Sequence, residues 1–168
     1  GVTPDIVLPD TYEYLKFREK DNTSALSWDQ IPKANYEPAT NLNIAEIQKK
    51  AEERLKNNSA FSIIKNNTNW LGQNIDKQYY LNIEAYKKEQ SLIKSTVKQN
   101  DAISRLQQPA DMQPPAADKA KFYNNPDKAK GDRYQQWLKN VQSDIYINET
   151  VNIITDVMAS QNVNTVKH

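Results

Sequence analysis

From residue 43 onward, apolar residues recur every three or four positions, which is the spacing of amphipathic helices. Asn43 is a suitable N-cap, with Glu46 three residues later as its capping-box partner. The apolar stripe of this first helix contains Ile44, Ile47, Ala51 and Leu55. A second helix is predicted after Asn57 and Asn58, with Ser59 as its cap. Its stripe contains Phe61, Ile64, Thr68, Leu71 and Ile75.

The pattern next predicts a long helix that begins after Asn82 and ends near Gln107. Its apolar positions form two ridges, so we expect this helix to contact more than one neighbour. One ridge contains Ile83, Tyr86, Ile93 and Val97, and the other contains Leu92, Thr96, Ile103 and Leu106.

The C-terminal third is predicted as a loop followed by two helices. Residues Pro109–Gly131 are rich in Pro, Ala and Lys, which favours a loop with one short helical turn. A short helix over Asp132–Gln142 would bury Tyr134, Trp137, Leu138 and Val141. The last helix is predicted to begin near Asn148 and to fray after Gln161. Its apolar stripe contains Ile147, Val151, Ile154 and Met158.

The first 41 residues lack a helical period. The residues Ile6–Leu8 favour a strand, so we expect a short orphan strand at Gly1–Leu8, and residues 1–9 would close a sheet of a longer chain. Pro9, Pro32 and Pro38, together with the missing helical period, predict that residues 10–41 form an extended wrapping segment. Its expected apolar anchors are Tyr12, Tyr14, Phe17, Leu26, Trp28, Ile31 and Tyr36.

These elements predict a mainly α fold, an irregular bundle of about four to five helices with an extended N-terminal segment. The helical domain would cover residues 42–162, with residues 109–131 as its loop and residues 163–168 as a frayed tail.

Composition excludes several kinds of chemistry. The net charge of +1 argues against a general nucleic-acid binder. The 168 residues contain no Cys, and the one His is His168. This argues against Cys nucleophiles, Ser-His-Asp catalysis and metal sites built from Cys or His. Three Gly residues are too few for a Gly-rich phosphate loop. We therefore expect no catalytic, cofactor-binding or metal-binding residues in this chain, and no cofactor.

Three Ser-x-x-Lys tetrads are the strongest catalytic candidates: Ser62–Lys65, Ser91–Lys94 and Ser95–Lys98. In some hydrolases this spacing places a Lys amine one helical turn from a nucleophilic Ser. All three fall inside predicted amphipathic helices and lack partner motifs, so chance occurrence is the favoured interpretation.

Other candidates have ordinary explanations. The carboxylates Glu52, Glu53, Asp5 and Glu13 are expected on solvated surfaces. Four Asn-x-Ser/Thr sequons, starting at Asn22, Asn57, Asn66 and Asn148, are expected by chance in an Asn-rich chain. Most aromatic residues have the helical spacing of core positions.

Three stretches resemble the tail-specific, or carboxy-terminal processing, serine proteases. GVTPDIVLP at Gly1–Pro9 resembles the segment that closes their catalytic domain. SALSWDQI at Ser24–Ile31 resembles the ALPWD-x-I segment of the bacterial branch, although Ser27 replaces the usual Pro. YINETVNIITDV at Tyr146–Val157 resembles that branch's terminal helix, and the three stretches occur in the family's order.

The resemblance implies a parent protein, a serine endopeptidase of the bacterial periplasm or cell envelope with a PDZ domain and a Ser/Lys dyad. That parent would degrade or process envelope proteins from their C-termini. No residue here matches either catalytic motif, so this chain would be its non-catalytic C-terminal helical domain and inactive alone.

The implied partners are the N-terminal helical region and catalytic core of the parent, an adaptor lipoprotein, and protein substrates reached through the parent. Nucleic acid and membrane insertion are not expected. A stand-alone helical protein-interaction module is the alternative reading.

Overall fold

The computed structural model describes residues 4–15, 17–26, 35, 42–79 and 81–165, and these residues form a mainly α structure. The prediction of the fold class is confirmed. The helices are α1 (Ile44–Asn57), α2 (Ser59–Asn74), α3 (Ile83–Ile103), α4 (Ala116–Asp118), α5 (Lys128–Gln142) and α6 (Ile145–Thr165). A 3₁₀ turn at Glu19–Asp21 precedes them, and a π-helical turn at Lys119–Tyr123 continues α4.

Asn side chains begin the first three helices. Asn43 and Asn82 are the N-caps of α1 and α3, as predicted. The cap of α2 is Asn58 rather than Ser59, because the Asn58 side chain accepts a hydrogen bond from the Ala60 amide at 2.9 Å. Such a bond satisfies one of the free amides of the first turn, so each helix start is determined locally.

Helix α2 lies at the centre, with α1 and α3 packed against it, while α1 and α5 both contact α6. The core cluster joins Phe61 and Ile64 of α2 to Ile145 of α6. The Phe61 ring also meets the Tyr146 ring edge-on, with 5.5 Å between centroids. Other hydrophobic residues packed on this cluster are Leu55, Ala60, Ile103, Leu106 and Tyr146.

Helix α3 ends at Ile103, four residues before the predicted end. The chain that follows pairs with the junction between α5 and α6. The Leu106 amide donates to the Ser143 carbonyl at 2.6 Å, and the Ala110 amide donates to the Gln142 carbonyl at 2.8 Å. These bonds to distant residues replace the helical bonds that would have continued α3.

The segment predicted as a loop over Pro109–Gly131 contains α4 and the π turn, and α5 begins at Lys128 rather than Asp132. The Asp127 carboxylate accepts bonds from the first free amides of α5. Likewise α6 begins at Ile145, three residues before the predicted start, because Asp144 accepts a bond from the Tyr146 amide at 2.7 Å. Helix α6 continues past Gln161 to Thr165.

The predicted orphan strand at Gly1–Leu8 is not formed in residues 4–8, which contain a bend and no strand. A strand needs a neighbour to accept its backbone hydrogen bonds, and no second strand exists among the described residues. Gly1–Thr3 lie outside them.

The wrapping segment contacts the helices through its first residues. The Pro9 carbonyl accepts a bond from the Tyr146 hydroxyl at 2.8 Å, and the Asp10 carbonyl accepts one from Thr68 at 3.2 Å. The expected anchors have different outcomes. Tyr14 is half-buried, next to Gly72 of α2. Tyr12, Phe17 and Leu26 are exposed, and Trp28, Ile31 and Tyr36 lie outside the described residues.

Candidate functional site

Helix α6 carries apolar side chains around most of its circumference, which is unusual for a helix at a protein surface. Such a helix normally packs against neighbours on more than one side. Its apolar residues with described side chains are Ile145, Ile147, Val151, Ile153, Ile154, Val157 and Met158.

The inner face of α6 is held to α1 by a network of ion pairs. Arg54 of α1 donates to Glu149 at 2.8 Å and to Asp156 at 2.7 Å. Both acids lie on the same side of α6, since seven residues are about two helical turns. The Glu149 side chain is 6% exposed and that of Arg54 is 31% exposed. We call these three residues the α1–α6 clamp.

The pKa of Arg54 reflects this position. Burial opposes the charged guanidinium, but the hydrogen bonds to Glu149 and Asp156 outweigh it and raise the pKa of Arg54 above its ordinary value. The Arg54 guanidinium therefore stays charged in this partly buried position.

The outer face of α6 presents three exposed apolar side chains, Val151, Ile154 and Met158, which we call the outer stripe. Their exposed fractions are 46%, 53% and 59%. At about 100° per residue, the stripe lies opposite Glu149 and Asp156. It belongs to the stripe that the sequence pattern singles out for this helix. The described helices thus largely cover the polar clamp and leave the apolar stripe exposed.

Sequence reasoning missed the clamp. One signal was available: Glu149 and Asp156 are the only charged residues on the long apolar run of α6, and they share one helix face. Acidic residues on a face of this kind are typical of buried ion pairs.

A groove of about 620 Å³ opens between residues 7–13 and helices α1 and α2. Leu8, Leu55 and Phe61 give it an apolar floor, while Glu52 and Lys65 are among the charged residues at its sides. Charges of both signs surround it, so the groove favours no particular charge of ligand.

The Ser-x-x-Lys tetrads show no catalytic arrangement. Ser62 and Lys65 are both exposed on α2, at the side of this groove, and the other two tetrads lie exposed on α3. The Ser95 hydroxyl donates to the Leu92 carbonyl of its own helix at 2.9 Å. In the part of the chain that the structure describes, no Ser hydroxyl is hydrogen-bonded to a Lys amine.

The other sequence candidates lie apart from one another. Glu52 and Glu53 are exposed on α1, and Asp5 and Glu13 are exposed in the N-terminal segment. His168 falls outside the described residues. Within the described ranges, no three His, Cys, Asp or Glu side chains are placed to share a metal ion. None of the helices described there combines the length and apolar character of a membrane span.

Comparison with known proteins gives one match. No curated protein and no solved structure matches the chain. Residues 12–159 match the protein family described as the C-terminal domain of tail specific protease. The match covers all six helices except the last residues of α6. The chain therefore belongs to the family of C-terminal domains of tail-specific proteases.

Proposed function

We propose that this chain is a non-catalytic helical domain that packs on the rest of a tail-specific serine endopeptidase and shapes access to its active site. The observation that carries the proposal is the outer stripe of α6. Contiguous exposed apolar side chains on a structured element are typical of a surface that another protein surface covers.

The small number of buried hydrophobic residues supports the same conclusion. Seven hydrophobic residues are buried in the described structure, whereas fourteen large hydrophobic residues are exposed. The α1–α6 clamp holds α6 against α1 with the outer stripe facing outward, so the surface is already formed in this chain. A preorganised surface loses less conformational entropy when it docks.

Family membership supports the parent enzyme that the resemblance implies: a Ser/Lys endopeptidase with a PDZ domain, located in the bacterial envelope. Such an enzyme would process proteins from their C-termini, and an adaptor lipoprotein would dock on it. The chemistry would reside outside this chain. A serine-reactive fluorophosphonate should therefore leave the 168-residue chain unlabelled.

The docking proposal is tested by Ile154→Glu in the outer stripe, with Ala159→Glu as the control. Ala159 is exposed on the same helix but lies outside the stripe. In the 168-residue chain, neither change should move the melting temperature, because both positions are exposed.

In the complete protease, Ile154→Glu should lower the melting temperature and slow substrate degradation, and Ala159→Glu should do neither. Equal behaviour of the two variants in the complete protease would overturn the proposal. It would favour the alternative reading, a helical module that binds other proteins on its own.

A further inference from the structure

Three aromatic side chains form a continuous row on the surface of α5 and the π turn. The Phe122 ring stacks on Tyr134 with 5.7 Å between centroids, and Tyr134 contacts Trp137 at 5.2 Å. Trp137 is 54% exposed and Phe122 is 38% exposed. We call Phe122, Tyr134 and Trp137 the aromatic row. The sequence pattern predicts Trp137 as a core residue, so its exposure is a finding of the structure.

The row is held in place by contacts beneath it. Helix α5 buries Leu138 and Gly131 on its inner face, which directs Trp137 outward. The Tyr134 hydroxyl donates to Asp118 at 3.3 Å, and Gln135 donates to the Tyr123 carbonyl at 3.0 Å. These bonds fix α5 to the short helix and its π turn, a kind of irregularity that is frequent at functional sites.

Three cations flank the row, and Tyr134 of the row also contacts the acid Asp118. The Lys121 amine lies 5.0 Å from the centre of the Phe122 ring. Lys130 and Arg133 lie about two turns and one turn before Trp137 on the same face of α5. Lys130 contacts Asp127 at 3.7 Å, and Lys121 and Arg133 form no ion pair with any described residue.

We propose that the aromatic row is a docking surface for an acidic protein segment that carries an apolar or aromatic side chain. The segment's carboxylates would pair with Lys121 and Arg133, and its apolar side chain would pack on Trp137. Trp, Tyr and Arg are the residues that most often dominate binding energy at protein interfaces.

A protein segment fits better than a nucleic acid. The cations are few and are grouped around the rings, whereas nucleic-acid binding needs an extended basic surface. The whole chain has a net charge of only +1. This surface does not use the outer stripe of α6, so the inference is independent of the proposed function.

The test uses the 168-residue chain and a fluorescein-labelled peptide of Glu and Leu residues around one central Phe. Fluorescence anisotropy should show saturable binding. Trp137→Ala and Arg133→Glu should each weaken it at least about tenfold. Lys128→Glu is the matched control, because Lys128 is an exposed cation on the opposite face of α5. It should change binding less than about twofold, since exposed distant charges are screened.

Four outcomes would overturn the proposal: no saturable binding, an equal loss with Lys128→Glu, tighter binding of an oligothymidylate than of the peptide, or self-association that Trp137→Ala abolishes. The last two would assign the surface to a nucleic acid and to a second copy of the chain. Circular dichroism checks that each variant stays helical. Arg133→Glu alone decides the question if Trp137→Ala unfolds, because Arg133 is exposed.

Discussion

Replacing Arg54 with Met tests whether the α1–α6 clamp holds α6 in place. Met keeps the straight apolar stem of the side chain and removes its charge and donors. The Glu149 carboxylate, with its side chain 6% exposed, would then keep only its bond from Asn152 at 3.2 Å. Asp156 would lose its partner at 2.7 Å.

The expected loss is about 2–3 kcal/mol in the free energy of unfolding. Breaking a fully buried ion pair by removing one partner typically costs about 3–5 kcal/mol, because a charge is left without compensation. The partial exposure of Arg54 allows water to reach the acids and places the expected value at or below the lower end of that range.

Urea unfolding of the 168-residue chain, followed by circular dichroism, measures this loss. Lys50→Met is the matched control on the same helix. Lys50 pairs with Glu46 at 3.0 Å, but both side chains are exposed, so its removal should cost much less than removal of Arg54.

Adding Glu149→Met to the Arg54 variant should restore at least about 1 kcal/mol, because it removes the uncompensated charge. Similar losses for Arg54→Met and Lys50→Met, or no recovery in the double variant, would refute the clamp.

Three further changes test the core, a pH-dependent contact and a helix interior. Phe61→Ala should destabilise by about 3–4 kcal/mol in the same urea assay, because Phe61 is 2% exposed in the core; a loss below about 1 kcal/mol would contradict its position. Burial raises the pKa of Tyr146 above its ordinary value. The neutral hydroxyl therefore makes its full contribution to stability below about pH 10, and this contribution is lost as the pH rises further. Tyr146→Phe should therefore lower the free energy of unfolding by about 1 kcal/mol at pH 8, because the hydrogen bond to Pro9 is lost. The difference in stability between this variant and the native chain should become smaller above pH 10. A difference that does not change with pH would contradict this. Gly72→Ala should stabilise the chain by about 0.5–1 kcal/mol, because Gly72 is exposed in α2 and an added Cβ would lie 3.8 Å from the Tyr14 Cβ, an ordinary contact distance. A loss of stability would contradict this, because it would mean that the added Cβ clashes with Tyr14.

Much of the helical framework could be predicted because its signals are local. The α2 stripe of Phe61, Ile64, Thr68 and Leu71 is buried, as its spacing predicts. The starts of α1 and α3 follow from Asn43 and Asn82, whose side chains bond to amides within three residues. Family membership was also visible in short stretches of sequence, and the match over residues 12–159 confirms it.

The candidate sites could not be predicted from the sequence, because they depend on which helix faces are covered by the rest of the folded chain. Trp137 has the spacing of a core residue, yet Leu138 and Gly131 occupy the inner face of α5 and leave Trp137 outside. Helix α3 ends early because the amides of Leu106 and Ala110 find backbone partners more than thirty positions away, and no local pattern contains such partners.

Helix α6 separates what the sequence determines by itself from what only the tertiary structure determines. Its sequence alone determines a helix with apolar residues on opposing faces, and either face could pack inward. The contact with Arg54 determines which face packs inward, and Arg54 lies 95 residues before Glu149 and 102 residues before Asp156. Because those carboxylates need a partner once buried, the side that carries them turns toward α1. The outer stripe is therefore left exposed by a contact that only the folded chain creates.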